Sequence, residues 1–87
     1  GITNKGIFQS IQDQGLIPSI RIEETGDDGL VNETNAVFLN DGTLRIGVNG
    51  STGRGGIFNK GSFENGSNGN LQIENFIWLL DQSISYQ

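Results

Sequence analysis

The sequence predicts a mostly β protein built from short strands and hairpins with Gly- and Asn-rich turns. Three observations carry that expectation. Apolar and polar residues alternate with period two in several short runs, 14 glycines and a single proline punctuate those runs, and β-branched and aromatic residues dominate the apolar set. Eighty-seven residues make one small domain, residues 1–87.

Composition bounds what such a domain can be. The hydrophobic fraction is 33%, against roughly 45–50% (glycine included) in ordinary globular chains, so the core is thin. A chain this short buries only about 60–65% of its unfolded surface and commonly needs a disulfide, a metal or a partner subunit. Cysteine and histidine are both absent, which removes disulfides and the usual zinc sites and leaves oxygen-ligand metals and self-association. Five Phe, one Trp, one Tyr and apolar residues gathered in blocks favour order over disorder. The net charge of −5, with only five scattered basic residues, argues against nucleic acid or an anionic membrane as a partner. No apolar run approaches the roughly 20 residues of a membrane span.

Along the chain, residues 3–14 place Ile7, Phe8 and Ile11 at helical spacing, with Gly15 as a stop. A short N-terminal helix over residues 1–15, or an extended docking arm, both fit, since β-branched and aromatic residues dominate here and Gly6 interrupts the pattern. The run LIPSIRIEE alternates, with Ile20 and Ile22 on one face and Ser19, Arg21 and Glu23 on the other; it predicts a strand whose start Pro18 limits. The acidic stretch Glu23, Glu24, Asp27 and Asp28 reads as a solvated turn; calcium ligation is the rival reading, without EF-hand spacing to support it. NAVFLNDGTLRI predicts a hairpin, Ala36 to Leu39 against Thr43 to Ile46, around Asn40, Asp41 and Gly42, residue types that tolerate the positive φ of such turns. Further on, Leu71 and Ile73 alternate with Gln72 and Glu74 as a strand, the block Phe76 to Leu80 suits a doubly buried strand or a short helix, and SISY closes the chain as a strand. NKGIF at Asn4 to Phe8 returns as NKGSF at Asn59 to Phe63, which a shared local turn explains without a repeat.

Catalytic and cofactor motifs are sought without success. Gly50 is followed at Walker distance by Gly55, Gly56 and Ile57 with no Lys, and a dinucleotide fingerprint starting at Gly53 and Gly55 would need a third Gly where Phe58 stands. With no His or Cys the usual base and nucleophiles are missing, and nothing selects a catalytic pair from carboxylates such as Asp27, Asp28, Asp41 and Glu64. The expectation is a non-enzymatic protein without a cofactor. Asn32, Asn49 and Asn65 each open an Asn-x-Ser/Thr sequon and read as turn chemistry, while Trp78 within FIWLL reads as packed.

The stretch LNDGTLRIGVNGSTGRGGIF resembles a short module of fibre, tailspike and other virion structural proteins of tailed bacteriophages, including the amino-terminal domain of the tropism-determinant type of receptor-binding protein. The likeness rests on Asp41-Gly42, Leu44-Arg45-Ile46-Gly47, Gly50-Ser51-Thr52 and Gly55-Gly56-Ile57, about 20 of the 87 residues. The family tends to place Asp-Gly after the Leu-Arg-Ile-Gly strand and a Pro before the last glycines; this chain has Val48-Asn49-Gly50 and Gly53-Arg54 instead, so no binding residue transfers. The resemblance implies a trimeric β-prism-like or interwoven β-structure, self-assembly, other virion proteins as partners and the virion as location, as a fibre or a capsid-decorating component. Under it, Gly50, Gly53, Gly55 and Gly56 would let three backbones crowd at a symmetry axis, Arg54 would reach a carboxylate of an adjacent chain, and Ile20, Ile22, Val37, Leu39, Leu44, Ile46, Phe76 and Trp78 would form the shared core. The rival reading from a different class is a small carbohydrate-binding module that recognises a host glycan through Asn, Asp and an aromatic.

Overall fold

The computed structural model describes residues 1–74 and the strand 78–80. Its ten strands are all short: β1 Ile2–Asn4, β2 Ile7–Ser10, β3 Ser19–Ile22, β4 Leu30–Asn32, β5 Val37–Asn40, β6 Thr43–Ile46, β7 Gly55–Asn59, β8 Ser62–Asn65, β9 Asn70–Ile73 and β10 Trp78–Leu80. They form three parallel sheets, in the orders β1-β4-β7-β10, β2-β5-β8 and β3-β6-β9. Every third strand therefore returns to the same sheet, one coil further along, and the chain winds as a three-faced parallel β-solenoid. From the first coil to the second and from the second to the third, residues in register lie 28 and 27 apart in the first sheet, 30 and 25 apart in the second, and 24 and 27 apart in the third.

The core lies between the three faces and is assembled in rows that run from coil to coil. The register aligns Ile2, Leu30 and Ile57 in the first sheet, Phe8, Phe38 and Phe63 in the second, and Ile20, Leu44 and Leu71 with Ile22, Ile46 and Ile73 in the third. All twelve belong to one apolar cluster, with Leu30, Phe38, Leu44, Ile46 and Ile57 fully buried. The three phenyl rings stack nearly parallel, with centroids 4.7 and 5.0 Å apart. Like side chains stacked on like keep the coil cross-section constant, so each coil seals the apolar face of its neighbour.

Several sequence expectations are corrected. Residues 3–14 form no helix; they supply β1 and β2, because Ile2 and Phe8 each begin an interior row. NAVFLNDGTLRI is not a hairpin: β5 and β6 lie in different sheets, each paired in parallel with strands of adjacent coils, and Asn40, Asp41 and Gly42 turn a corner without positive φ. Within β5 the inward face is Phe38 and Asn40, while Val37, 39% exposed, and the half-buried Leu39 face outward. A one-residue difference in register exchanges the two faces of a strand, and the phenyl stack decides which one is buried. The recurrence of NKGIF as NKGSF is a structural repeat. Its middle copy, Asn32 to Phe38, carries two additional residues, which hides it in the sequence. The strands β3 and β9 fall where alternation predicts them, with Ile20, Ile22, Leu71 and Ile73 turned inward. Phe76, the Trp78 side chain and the SISY segment lie outside the described residues.

Candidate functional site

Two buried columns of carboxamides line the corners that flank the second sheet. In the first, Asn4 Nδ2 donates to Asn32 Oδ1 at 2.9 Å and Asn32 Nδ2 donates to Asn59 Oδ1 at 2.9 Å. The same amides also hold main-chain carbonyls: Asn4 Nδ2 reaches Val37 O of the next coil at 2.9 Å and Gly6 O of its own corner at 3.3 Å, and Asn32 Nδ2 reaches Ser62 O of the next coil at 3.0 Å and Ala36 O of its own corner at 3.2 Å. In the second column Asn40 Nδ2 donates to Asn65 Oδ1 at 2.9 Å. Asn32 and Asn40 are fully buried. A primary amide has two donor hydrogens and two acceptor lone pairs, so it can bond to the coils on both sides of it and still satisfy a corner carbonyl. That is why Asn recurs here, and it corrects the reading of Asn32 and Asn65 as turn residues.

The columns are directional, each amide donating toward the C-terminal side, and this leaves the first coil with acceptors facing outward. Among the described residues, Asn4 Oδ1 accepts only the short-range Gly6 N–H, at 3.2 Å. Ser10 stands in register with Asn40 and Asn65 at the head of the second column; its Oγ is buried and has no hydrogen-bond partner among the described residues. No described strand pairs with the free edges of β1, β2 or β3. Among the described residues, the first coil also carries four of the five large exposed apolar side chains: Ile7 at 77%, Ile11, Leu16 at 74% and Ile17. The fifth, Val37, sits beside Ile7 in register on the outer face of the second sheet.

The third corner brings together two stretches that look unrelated in the sequence. The acidic residues 23–29 of the first coil lie directly against the glycine-rich residues 47–54 of the second. Thr25 N–H donates to Ser51 O at 3.2 Å, Gly53 N–H donates to Thr25 O at 2.8 Å, and Gly29 N–H donates to Gly55 O at 3.0 Å. A Cβ on Gly53 would stand 2.6 Å from the Gly26 carbonyl carbon, and one on Gly50 would stand 2.8 Å from Glu24 Cβ. The crowding that demands glycine at these two positions therefore arises between successive coils of one chain. Gly55 and Gly56 are buried within β7. The Arg54 guanidinium lies 3.7 Å from Asp27 Oδ1 of the same chain, an exposed pair of little energetic weight. Asp28 is not part of a solvated turn: it is buried, and its Oδ1 accepts the Gly55 N–H at 2.8 Å. The described residues bring no cluster of three metal-ligating side chains together and enclose no pocket.

In the sequence the glycine corner reads as a contact between three chains; the close approach at Gly50 and Gly53 lies between coils of the same chain. The carboxamide columns and the Ser10 position were not singled out. Their available signal was the recurrence of Asn four residues before Phe in NKGIF and NKGSF. No family model, curated protein or solved structure matches this chain.

Proposed function

We propose that this chain is a structural module of a fibre-type protein, working by self-association and attachment without catalysis. The observation that carries the reading is the surface of the first coil: strand edges that no described strand covers, a buried Ser10 Oγ without a partner among the described residues at the head of a column, and four exposed large apolar side chains within residues 7–17. A buried hydroxyl without a partner costs about 1–3 kcal/mol, and clustered apolar exposure on a small protein marks a contact surface. A neighbouring subunit that covers this coil relieves both costs. The setting follows from the resemblance of residues 39–58 to virion proteins of tailed bacteriophages: a fibre or capsid-decorating component of the virion, forming a homotrimer and meeting other virion proteins.

Absolute molar mass in solution, from light scattering behind a sizing column at two protein concentrations, tests the proposal. A mass about three times the 9.4 kDa of one chain that persists on dilution supports it. A persistent monomer overturns self-association as the mode of action. Replacing Ile7 and Leu16 together by Ser separates an assembly role from a folding role, since both side chains are exposed in the single chain: loss of the oligomer with an unchanged circular dichroism spectrum is the expected result.

A further inference from the structure

Asn-Gly occurs three times, at Asn49-Gly50, Asn65-Gly66 and Asn68-Gly69. A following glycine puts no Cβ in the way of its own amide nitrogen, so the pair is open to internal attack on the asparagine side chain. The fold treats the three pairs differently. Asn65 is buried; its Oδ1 accepts from Asn40 Nδ2, its Nδ2 donates to Gly69 O at 3.2 Å, and the Gly66 N–H donates to Asn40 O at 2.8 Å. Asn68 is exposed, but the Gly69 N–H donates to Gly66 O at 2.9 Å and the Asn68 N–H donates to Asp41 Oδ1 at 3.0 Å. Asn49 is exposed on the turn between β6 and β7, in the left-handed region at φ 61°. Neither its carboxamide nor the Gly50 N–H has a hydrogen-bond partner among the described residues.

We infer that Asn49 is a self-modification site, converting through a succinimide to aspartate or isoaspartate while the other two Asn-Gly pairs are protected by the fold. The Gly50 nitrogen attacks Asn49 Cγ, the new N–Cγ bond closes a five-membered ring, and the Cγ–Nδ2 bond breaks with Nδ2 leaving as ammonia, carrying the proton shed by the attacking amide. Water then opens the ring at either carbonyl, so the net change is one water in and one ammonia out, with no oxidation. The product carries a carboxylate where the turn packs against Glu23 and Glu24; the Gly50 Cα hydrogen that points at Glu24 Cβ marks how close they are. The isoaspartate form also adds a main-chain atom within residue 49, two residues before Ser51, whose carbonyl holds Thr25. Repulsion and lengthening act together to loosen the contact between the first two coils at the third corner.

The test is incubation of the folded protein at mildly alkaline pH and body temperature, with peptide mapping by mass spectrometry and isoaspartate quantified at each site. Asn49 is expected to convert about tenfold or more faster than Asn65, because each 1.4 kcal/mol needed to open the buried site slows it by a factor of ten. In concentrated urea the Asn49 and Asn65 rates should converge, since only the fold distinguishes them. Faster conversion at Asn65 or Asn68 than at Asn49 in the folded protein, or equal rates there at all three, overturns the inference. Asn49→Gly, which adopts the same left-handed φ without strain, should abolish the early mass gain; an undiminished gain in that variant overturns the inference equally.

Discussion

Replacing Asn32 by Ala removes the middle rung of the longer carboxamide column, and the structure sets the size of the effect. Four hydrogen bonds disappear: one accepted from Asn4 Nδ2 and three donated, to Asn59 Oδ1, Ser62 O and Ala36 O. Several of the abandoned groups keep a second partner: Asn4 Nδ2 still reaches Val37 O, Asn59 Oδ1 still accepts from Gly61 N, and Ala36 O still accepts from Ser62 N. The loss is therefore smaller than four full desolvation penalties. Net bonds of about 1 kcal/mol each, plus the buried group or two left unsatisfied, give about 3–5 kcal/mol. At about 0.05–0.15 kcal/mol per residue the whole domain holds about 4–13 kcal/mol, so Asn32→Ala removes a large share of it. Urea unfolding followed by far-ultraviolet circular dichroism measures the difference, provided that the slope with denaturant is unchanged. A loss below about 1 kcal/mol would refute the column as a main tie between coils. Asn32→Asp sharpens the test, since it keeps the acceptor toward Asn4 but turns a carboxylate oxygen toward three acceptors. Burial among acceptors raises the folded-state pKa of that Asp above its unfolded value. The neutral acid is then the favoured folded form, and its stability is lost as pH rises through the folded pKa. Relative to the parent, the variant is weakest at neutral pH and recovers on acidification toward the unfolded value of about 3.9.

The remaining expectations concern packing and the third corner. Phe38→Ala, at the centre of the phenyl stack, should cost about 3–5 kcal/mol in chemical denaturation, and Phe8→Ala, stacked on one face only, should cost measurably less. Gly53→Ala should lower stability by about 1–3 kcal/mol through its clash with the Gly26 backbone, whereas Gly26→Ala, with open space around its Cβ, should be neutral or slightly stabilising; equal effects would place the crowding elsewhere. Asp28→Ala strips the Gly55 N–H of its buried side-chain acceptor and should cost about 1–3 kcal/mol, with faster hydrogen exchange at Gly55 as the local readout. Glu33→Gln breaks the 2.9 Å pair with Lys60 at the surface and should shift stability by no more than about 0.5 kcal/mol.

The sequence by itself determined the class of this protein and the position of some of its strands. Alternation places β3 and β9 correctly and turns Ile20, Ile22, Leu71 and Ile73 inward, because a strand with one buried face writes period two into its residues. The glycine-rich stretch suggested backbones of three chains crowding at an axis, whereas the crowding seen at Gly50 and Gly53 is between successive coils of one chain. What the sequence did not contain was the partner. In a parallel sheet the neighbouring strand lies a whole coil away, 23 to 30 residues here, and nothing local to Asn40-Asp41-Gly42 distinguishes a solenoid corner from a hairpin turn. The same distance hid the faces of β5, where Val37 and Leu39 look like core until Phe38 is seen stacked between Phe8 and Phe63. It hid the role of the asparagines too, since a carboxamide is a turn residue when alone and a structural tie when another lies one coil above it. Composition and alternation are properties of a segment, whereas register is a property of two segments, and only the folded chain brings them within hydrogen-bonding distance.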